Sequence, residues 1–170
     1  MIQPQPPVIF GLTGLGAFHT VISLIALFVG AIALIRDKEI TWSNALGKVY
    51  VISTIIVCIT GFGIFQHGGF GKPHILGIVT LIVFVFIYLA AKGKLGKNSP
   101  YIETVLYSLT FFFHWIPTVT EGFTRLPLDA PLASGPEDPT IQKIVGVIFI
   151  LFVTGAIMQV RKMKRKLSPV

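Results

Sequence analysis

Five apolar runs, each close to the length of a bilayer crossing, occupy most of this 170-residue chain. A helix needs about 20 predominantly apolar residues to span the hydrocarbon. Within lipid every backbone polar group must be satisfied internally, and a helix does this. The runs cover 9–35, 45–66, 73–91, 100–120 and 139–160. The expected fold is therefore all-α: an integral membrane bundle of five transmembrane helices, forming one membrane domain over residues 1–170. Only 12% of residues are charged and 53% are hydrophobic, against roughly 25% charged in a soluble domain.

Local signals mark the run boundaries. Ser99-Pro100 and Asp138-Pro139 each read as a helix N-cap followed by proline at the first helical position. Gly68-Gly69 and Gly93 break the chain after the second and third runs, and Arg36 to Glu39 end the first. Residues Met1 to Pro7 carry no lysine or arginine, and the apolar stretch after them exceeds a signal-peptide core, so the first run reads as an uncleaved helix. A single cysteine, Cys58, lies inside the second run and reads as a small core residue.

The net charge of +7 does not point to nucleic acid, because the basic residues sit in short clusters between the runs. There they set orientation. Arg36, Lys38, Lys48, Lys92, Lys94, Lys97, Arg161, Lys162, Lys164, Arg165 and Lys166 fall on one side, and only Lys72, Arg125 and Lys143 on the other. The positive-inside rule then gives an outer amino terminus and an inner carboxyl terminus. The expected location is the plasma (inner) membrane, multi-pass, with the lipid bilayer as principal partner. The segment from Gly122 to Asp138, with Pro127, Pro131 and Pro136, reads as a lid over the outer end or as a connector.

Threading places all four histidines toward the outer leaflet. His67 and His74 flank the turn between the second and third runs. His19 and His114 lie deeper, each within about 10 Å of the outer edge if the fourth helix ends near Thr120. Ionisable groups inside a membrane are costly and usually partnered. Imidazole ligates copper, iron and zinc, and it holds haem iron axially. The leading expectation is a site for haem b or a transition metal (Cu, Fe or Zn), serving electron transfer or metal handling. Its ligands are drawn from His19, His114, His74 and His67.

The fourth run carries a second pattern. Glu103, Tyr107, Thr110, His114, Thr118 and Glu121 recur at three- and four-residue steps and form one helical stripe. Lipid would penalise such a stripe, so it should face the bundle interior. Glu103, Tyr107, Thr110 and Glu121 are candidates for a proton relay in a proton-coupled transporter or conduit. The same groups also suit helix-to-helix gluing. Pro117 removes the amide bond to Phe113 and is expected to kink this helix. Tyr50, Thr54 and Gly61 share a face of the second run, and Gly16, His19, Ser23 and Gly30 stand on the first.

The stretch HTVISLIALFVGAIAL from His19, followed by NALGKVYVISTIIVCITG, resembles a family of small uncharacterised bacterial multi-pass membrane proteins. That family has a histidine early in one span and an LG(K/R)xY motif opening the next, here Leu46, Gly47, Lys48 and Tyr50. Family members often carry a histidine just before the motif; Trp42, Ser43 and Asn44 stand there in this chain. The resemblance implies a membrane bundle. A looser likeness is to transmembrane b-type cytochromes, which implies at most one haem near the outer side. No phosphate loop, nucleophile elbow or paired-carboxylate motif is present, so no hydrolase or transferase is expected. Accessory membership of a larger membrane complex is a further reading, with other membrane subunits or a homodimeric copy as partners.

Overall fold

The computed structural model describes residues 12–65, 69–127 and 130–167. Among these the regular structure is helical: α1 (Gly14–Arg36), α2 (Ala45–Gly61), α3 (Lys72–Ala91), α4 (Ser99–Arg125) and α5 (Pro139–Leu167). A short 3₁₀ turn, Gly96–Asn98, precedes α4. Each helix grows from one of the apolar runs. α2 stops at Gly61, short of 66, and α4 runs on to Arg125, past the end of its apolar run.

The helix ends follow the chain chemistry except at α4, where Ser99 is the first helical residue and not the N-cap: Asn98 precedes it without a side-chain cap, and the Ser99 hydroxyl instead accepts the Leu95 N–H at 3.2 Å. Thr13 caps α1 by accepting the Gly16 N–H at 3.1 Å, and Asn44 caps α2 by accepting the Gly47 N–H at 2.9 Å. Asn44 also donates to Asp37 at 3.1 Å, closing the loop between α1 and α2. Arg36 pairs with Asp37 at 2.7 Å and holds its carboxyl below the usual range. α3 ends in a Schellman motif around Gly93, which takes φ +69°. Its own N–H reaches Ala90 O at 2.8 Å, and the Lys94 N–H reaches Leu89 O at 2.9 Å.

α1 packs chiefly on α2, while α3 and α5 pack on α4. The core is Ala26, Ala33, Ile40, Tyr50, Val51, Val83, Ile87 and Tyr107, drawn from the first four helices and the α1–α2 loop. Outward faces are apolar instead of polar. Phe28, Ile32 and Ile35 on α1 and Ile150, Leu151 and Met158 on α5 are all exposed. A water-soluble monomer rarely shows apolar patches of this extent. Three helical segments, Gly14–Arg36, Lys72–Ala91 and Pro139–Arg165, are long and apolar enough to cross a membrane. α2 is apolar with 17 residues, near the lower limit for a span. α4 has 27 residues and buries a polar face at Thr104, Tyr107, Ser108, Thr110 and His114. It passes through Pro117 unbroken.

The segment after α4 folds back on the helix ends. Ala133 is buried with Val119 and Ile141, and its N–H reaches Phe123 O at 3.0 Å. Lys72 at the start of α3 pairs with Glu137, whose carboxyl it holds below the usual range. Asp138 caps α5, accepting the Thr140 N–H at 2.8 Å and the Ser134 N–H at 3.2 Å. Those donors depress its pKa. A depressed carboxyl stabilises the fold above its unfolded pKa and loses that contribution as pH falls through its folded value. Asp138→Ala is therefore expected to speed hydrogen exchange at Thr140 and Ile141 near neutral pH. Wild type should approach the same protection as pH drops below the carboxylate range. Unchanged protection at neutral pH would rule out this cap.

Candidate functional site

The buried stripe of α4 meets α2 through side chains. Tyr50, Thr54 and Thr110 are 0%, 1% and 0% exposed, and His114 is 7% exposed. The Tyr50 hydroxyl lies 2.9 Å from Thr110 Oγ1, and Thr54 Oγ1 lies 2.9 Å from His114 Nε2. Thr54 stands one turn beyond Tyr50 on α2 and donates to its carbonyl, which sets the two contacts side by side in one seam. Gly30 of α1 makes room for it: a Cβ there would stand 2.7 Å from the Phe111 ring and 2.9 Å from the Tyr50 ring.

The hydrogen-bond partners fix where the protons are. Thr54 donates to Tyr50 O at 2.8 Å, so its oxygen accepts from His114 Nε2–H. Thr110 donates to Tyr107 O at 2.8 Å, so the Tyr50 hydroxyl donates to Thr110. Neutral imidazole carries one proton, which leaves His114 Nδ1 as a bare acceptor. His19 repeats the pattern at the far end of α2. Its Nδ1 lies 3.0 Å from Thr60 Oγ1, whose own proton goes to Ile56 O at 2.8 Å. His19 therefore donates from Nδ1 and presents a bare Nε2. Its ring lies over Gly61, where a Cβ would come within 3.3 Å of Cε1.

His19 and His114 anchor on different turns of α2. They are not matched in depth. Thr54 and Thr60 are six residues apart, about 9 Å along α2. The helix ends give the same offset. His19 lies five residues from the start of α1, about 8 Å, and His114 lies eleven residues from the end of α4, about 16 Å. The expected equal depth assumed that α4 ends near Thr120; its continuation to Arg125 sets His114 deeper.

His74 stands apart from that pair. Its ring is stacked between Phe65 and Phe70, with centroids at 5.1 and 5.0 Å, and its Nδ1 accepts the Gly71 N–H at 3.1 Å. The proton is thus on Nε2, which is buried and unpartnered. Neither nitrogen is left bare for a metal. His67 lies outside the described residues. Among the described residues no three or more His, Cys, Asp or Glu side chains gather into a metal-holding group.

The stripe continues to both ends of α4. Tyr107 is buried, Glu103 beside it is half-buried, and Glu121 pairs with Arg125 one turn on. Two residues that escape a reading by periodicity complete the arrangement. Thr60 anchors His19, and Gln159 of the otherwise apolar α5 bridges Ser108 at 2.9 Å and Lys38 O at 2.9 Å. A lone glutamine in an apolar helix is the signal that marks the second.

Removing one partner of a buried contact strands the other. Thr54→Val leaves His114 Nε2–H without its acceptor and is expected to cost about 1–2 kcal/mol. Adding His114→Phe should restore much of that loss, because no donor remains to strand. Thermal unfolding in detergent checks this; strictly additive losses would contradict the contact.

Comparison with known protein families, with curated proteins and with solved structures returns no match.

Proposed function

We propose that the chain is a five-span integral membrane protein, outer at its amino terminus, and that it conducts protons along α4. The observation that carries this reading is the succession of depths. Glu121 and His19 stand toward the outer end, His114 below them, then Tyr50 with Thr110, then Tyr107 and Glu103 at the inner end. Intramembrane ionisable and hydroxyl groups in series mark proton pathways.

The seam supplies the chemistry of each hop. His114 accepts a proton at Nδ1 and releases the one on Nε2 to Thr54 Oγ1. Thr54 then turns its own proton from Tyr50 O to the Tyr50 hydroxyl, which passes its proton to Thr110, and Thr110 releases its own proton from Tyr107 O toward Tyr107 and Glu103. Each group ends with as many protons as it began, turned the other way, and must rotate back before the next passage. Glu103 collects or supplies the proton at the inner end. Glu103→Gln removes that group and is expected to lower proton flux into liposomes by about tenfold, less than the roughly 10²–10⁴-fold of a positioned acid or base, because Glu103 is only half-buried and water reaches the inner end. Equal flux in wild type and Glu103→Gln would sink the reading.

A second reading rests on a separate observation. Metal-ligating histidines commonly anchor one ring N–H on a neighbouring acceptor and ligate through the other nitrogen. His19 and His114 have that form, so a transition-metal ion held by Nε2 of His19 or by Nδ1 of His114 fits their chemistry. Haem b fits less well, because bis-histidine haem wants imidazoles at one level and these are offset by about 9 Å. Stoichiometric copper, iron or zinc in purified protein, lost in His19→Gln, would favour this reading over the first. Metal-free protein with undiminished flux would exclude it.

A further inference from the structure

The inner ends of α4 and α5 diverge to leave an open groove of about 430 Å³. Its wall is Ile102, Val105 and Leu106 of α4 and Val160 of α5. Its mouth carries three polar side chains, Asn98, Tyr101 and Lys164. The groove is thus apolar along its length and polar with a cation at one end, which is the distribution of a phospholipid.

Charge identifies which phospholipid. Lys97 borders the mouth in sequence beside Asn98, and Arg161, Lys162 and Arg165 are exposed on the last turns of α5. Ten lysines and arginines whose side chains are described lie at this end of the bundle against three carboxylates, Asp37, Glu39 and Glu103. Asp37 is already paired with Arg36. Basic residues at the headgroup level favour anionic lipid by about 1 kcal/mol each.

We propose that this groove is a binding site for one anionic phospholipid. An acyl chain lies along Ile102, Val105, Leu106 and Val160, and the phosphate sits at Lys164 with Tyr101 and Asn98 as hydrogen-bond donors. Occupancy would fill the cleft between the inner ends of α4 and α5, beside Glu103. The inference rests on the membrane reading, which places these residues at the inner headgroups.

The test uses full-length protein in mild detergent, supplied with equal amounts of a phosphatidylglycerol and a phosphatidylcholine of the same chains. Retained lipid is read by native mass spectrometry. One phosphatidylglycerol per chain is expected, with phosphatidylcholine well below it. Lys164→Gln should lower retention about fivefold, as loss of one lysine contact implies. Leu106→Trp, which fills the wall and keeps the charge, should also lower it. Lys48→Gln, at the same end but outside the groove, should leave it unchanged. Equal retention of the two lipids, or equal losses in Lys164→Gln and Lys48→Gln, would overturn the site. Carbonate extraction of the expressing membranes is done first. Protein that stays in the pellet yet shows no selective retention overturns the lipid site alone, whereas release into the supernatant overturns the membrane reading with it.

Discussion

Gly47→Ala is expected to leave little folded protein. The α1–α2 loop descends onto the first turn of α2, and a Cβ at residue 47 would lie 1.7 Å from the Thr41 carbonyl oxygen and 2.5 Å from its carbon. Both sides of that clash are backbone, so no rotamer change relieves it. The loop cannot simply lift away, since Ile40 is buried in the core at 1% exposure and Asn44 ties the loop to Asp37. Overpacking ordinarily costs about 1–3 kcal/mol; here the cost should be above about 3 kcal/mol, a large share of the ~5–15 kcal/mol by which most domains are stable. Gly61→Ala is the control, because its Cβ would meet only the His19 ring, at 3.3 Å. Size-exclusion profiles after heating would show the Gly47 variant lost far below the temperature that Gly61→Ala survives. Matching profiles would mean that the loop does not press on α2.

The second large effect concerns His114. It is the one imidazole in the buried seam, bonded to Thr54 and set edge-on to Tyr50 at 5.8 Å. His114→Phe keeps an aromatic of similar shape but has no nitrogen to take up or release a proton. Liposome proton flux is expected to fall by more than tenfold, the lower part of the range for loss of a general acid or base being about 10²-fold. His74→Phe removes an imidazole outside the seam and should leave flux near wild type. Because His114→Phe also strands the Thr54 oxygen, its unfolding temperature is measured beside the flux. A flux loss with retained folding separates proton carriage from packing. Equal flux in His114→Phe and wild type would remove His114 from the pathway.

Much of the fold was legible in the residues, and for identifiable reasons. The Asp138-Pro139 pair and Gly93 act within one helical turn, so their caps form where the chain places them. The α4 stripe was legible because a helix brings residues three and four apart onto one face, and lipid leaves that face only an inward orientation. Depth was less so. Hydropathy reports the width of an apolar run, while α4 extends past that run through Glu121, Gly122, Phe123, Thr124 and Arg125, and His114 sinks with it. Partner choice was not legible at all. That His19 finds Thr60 and His114 finds Thr54 depends on the rotation of three helices, which is set by packing spread over the bundle, including Gly30 against Phe111. The LGKxY motif shows the same divide. Its glycine was visible, but the reason for it, the Thr41 carbonyl that the α1–α2 loop lays against residue 47, is tertiary.

The most direct measurement is the initial rate of proton uptake into liposomes containing the wild-type protein, driven by a potassium diffusion potential and read with an internal pH dye. Uptake that rises with the imposed potential and stands well above protein-free liposomes is the expected result. Uptake that matches protein-free liposomes at every potential would contradict proton conduction along α4.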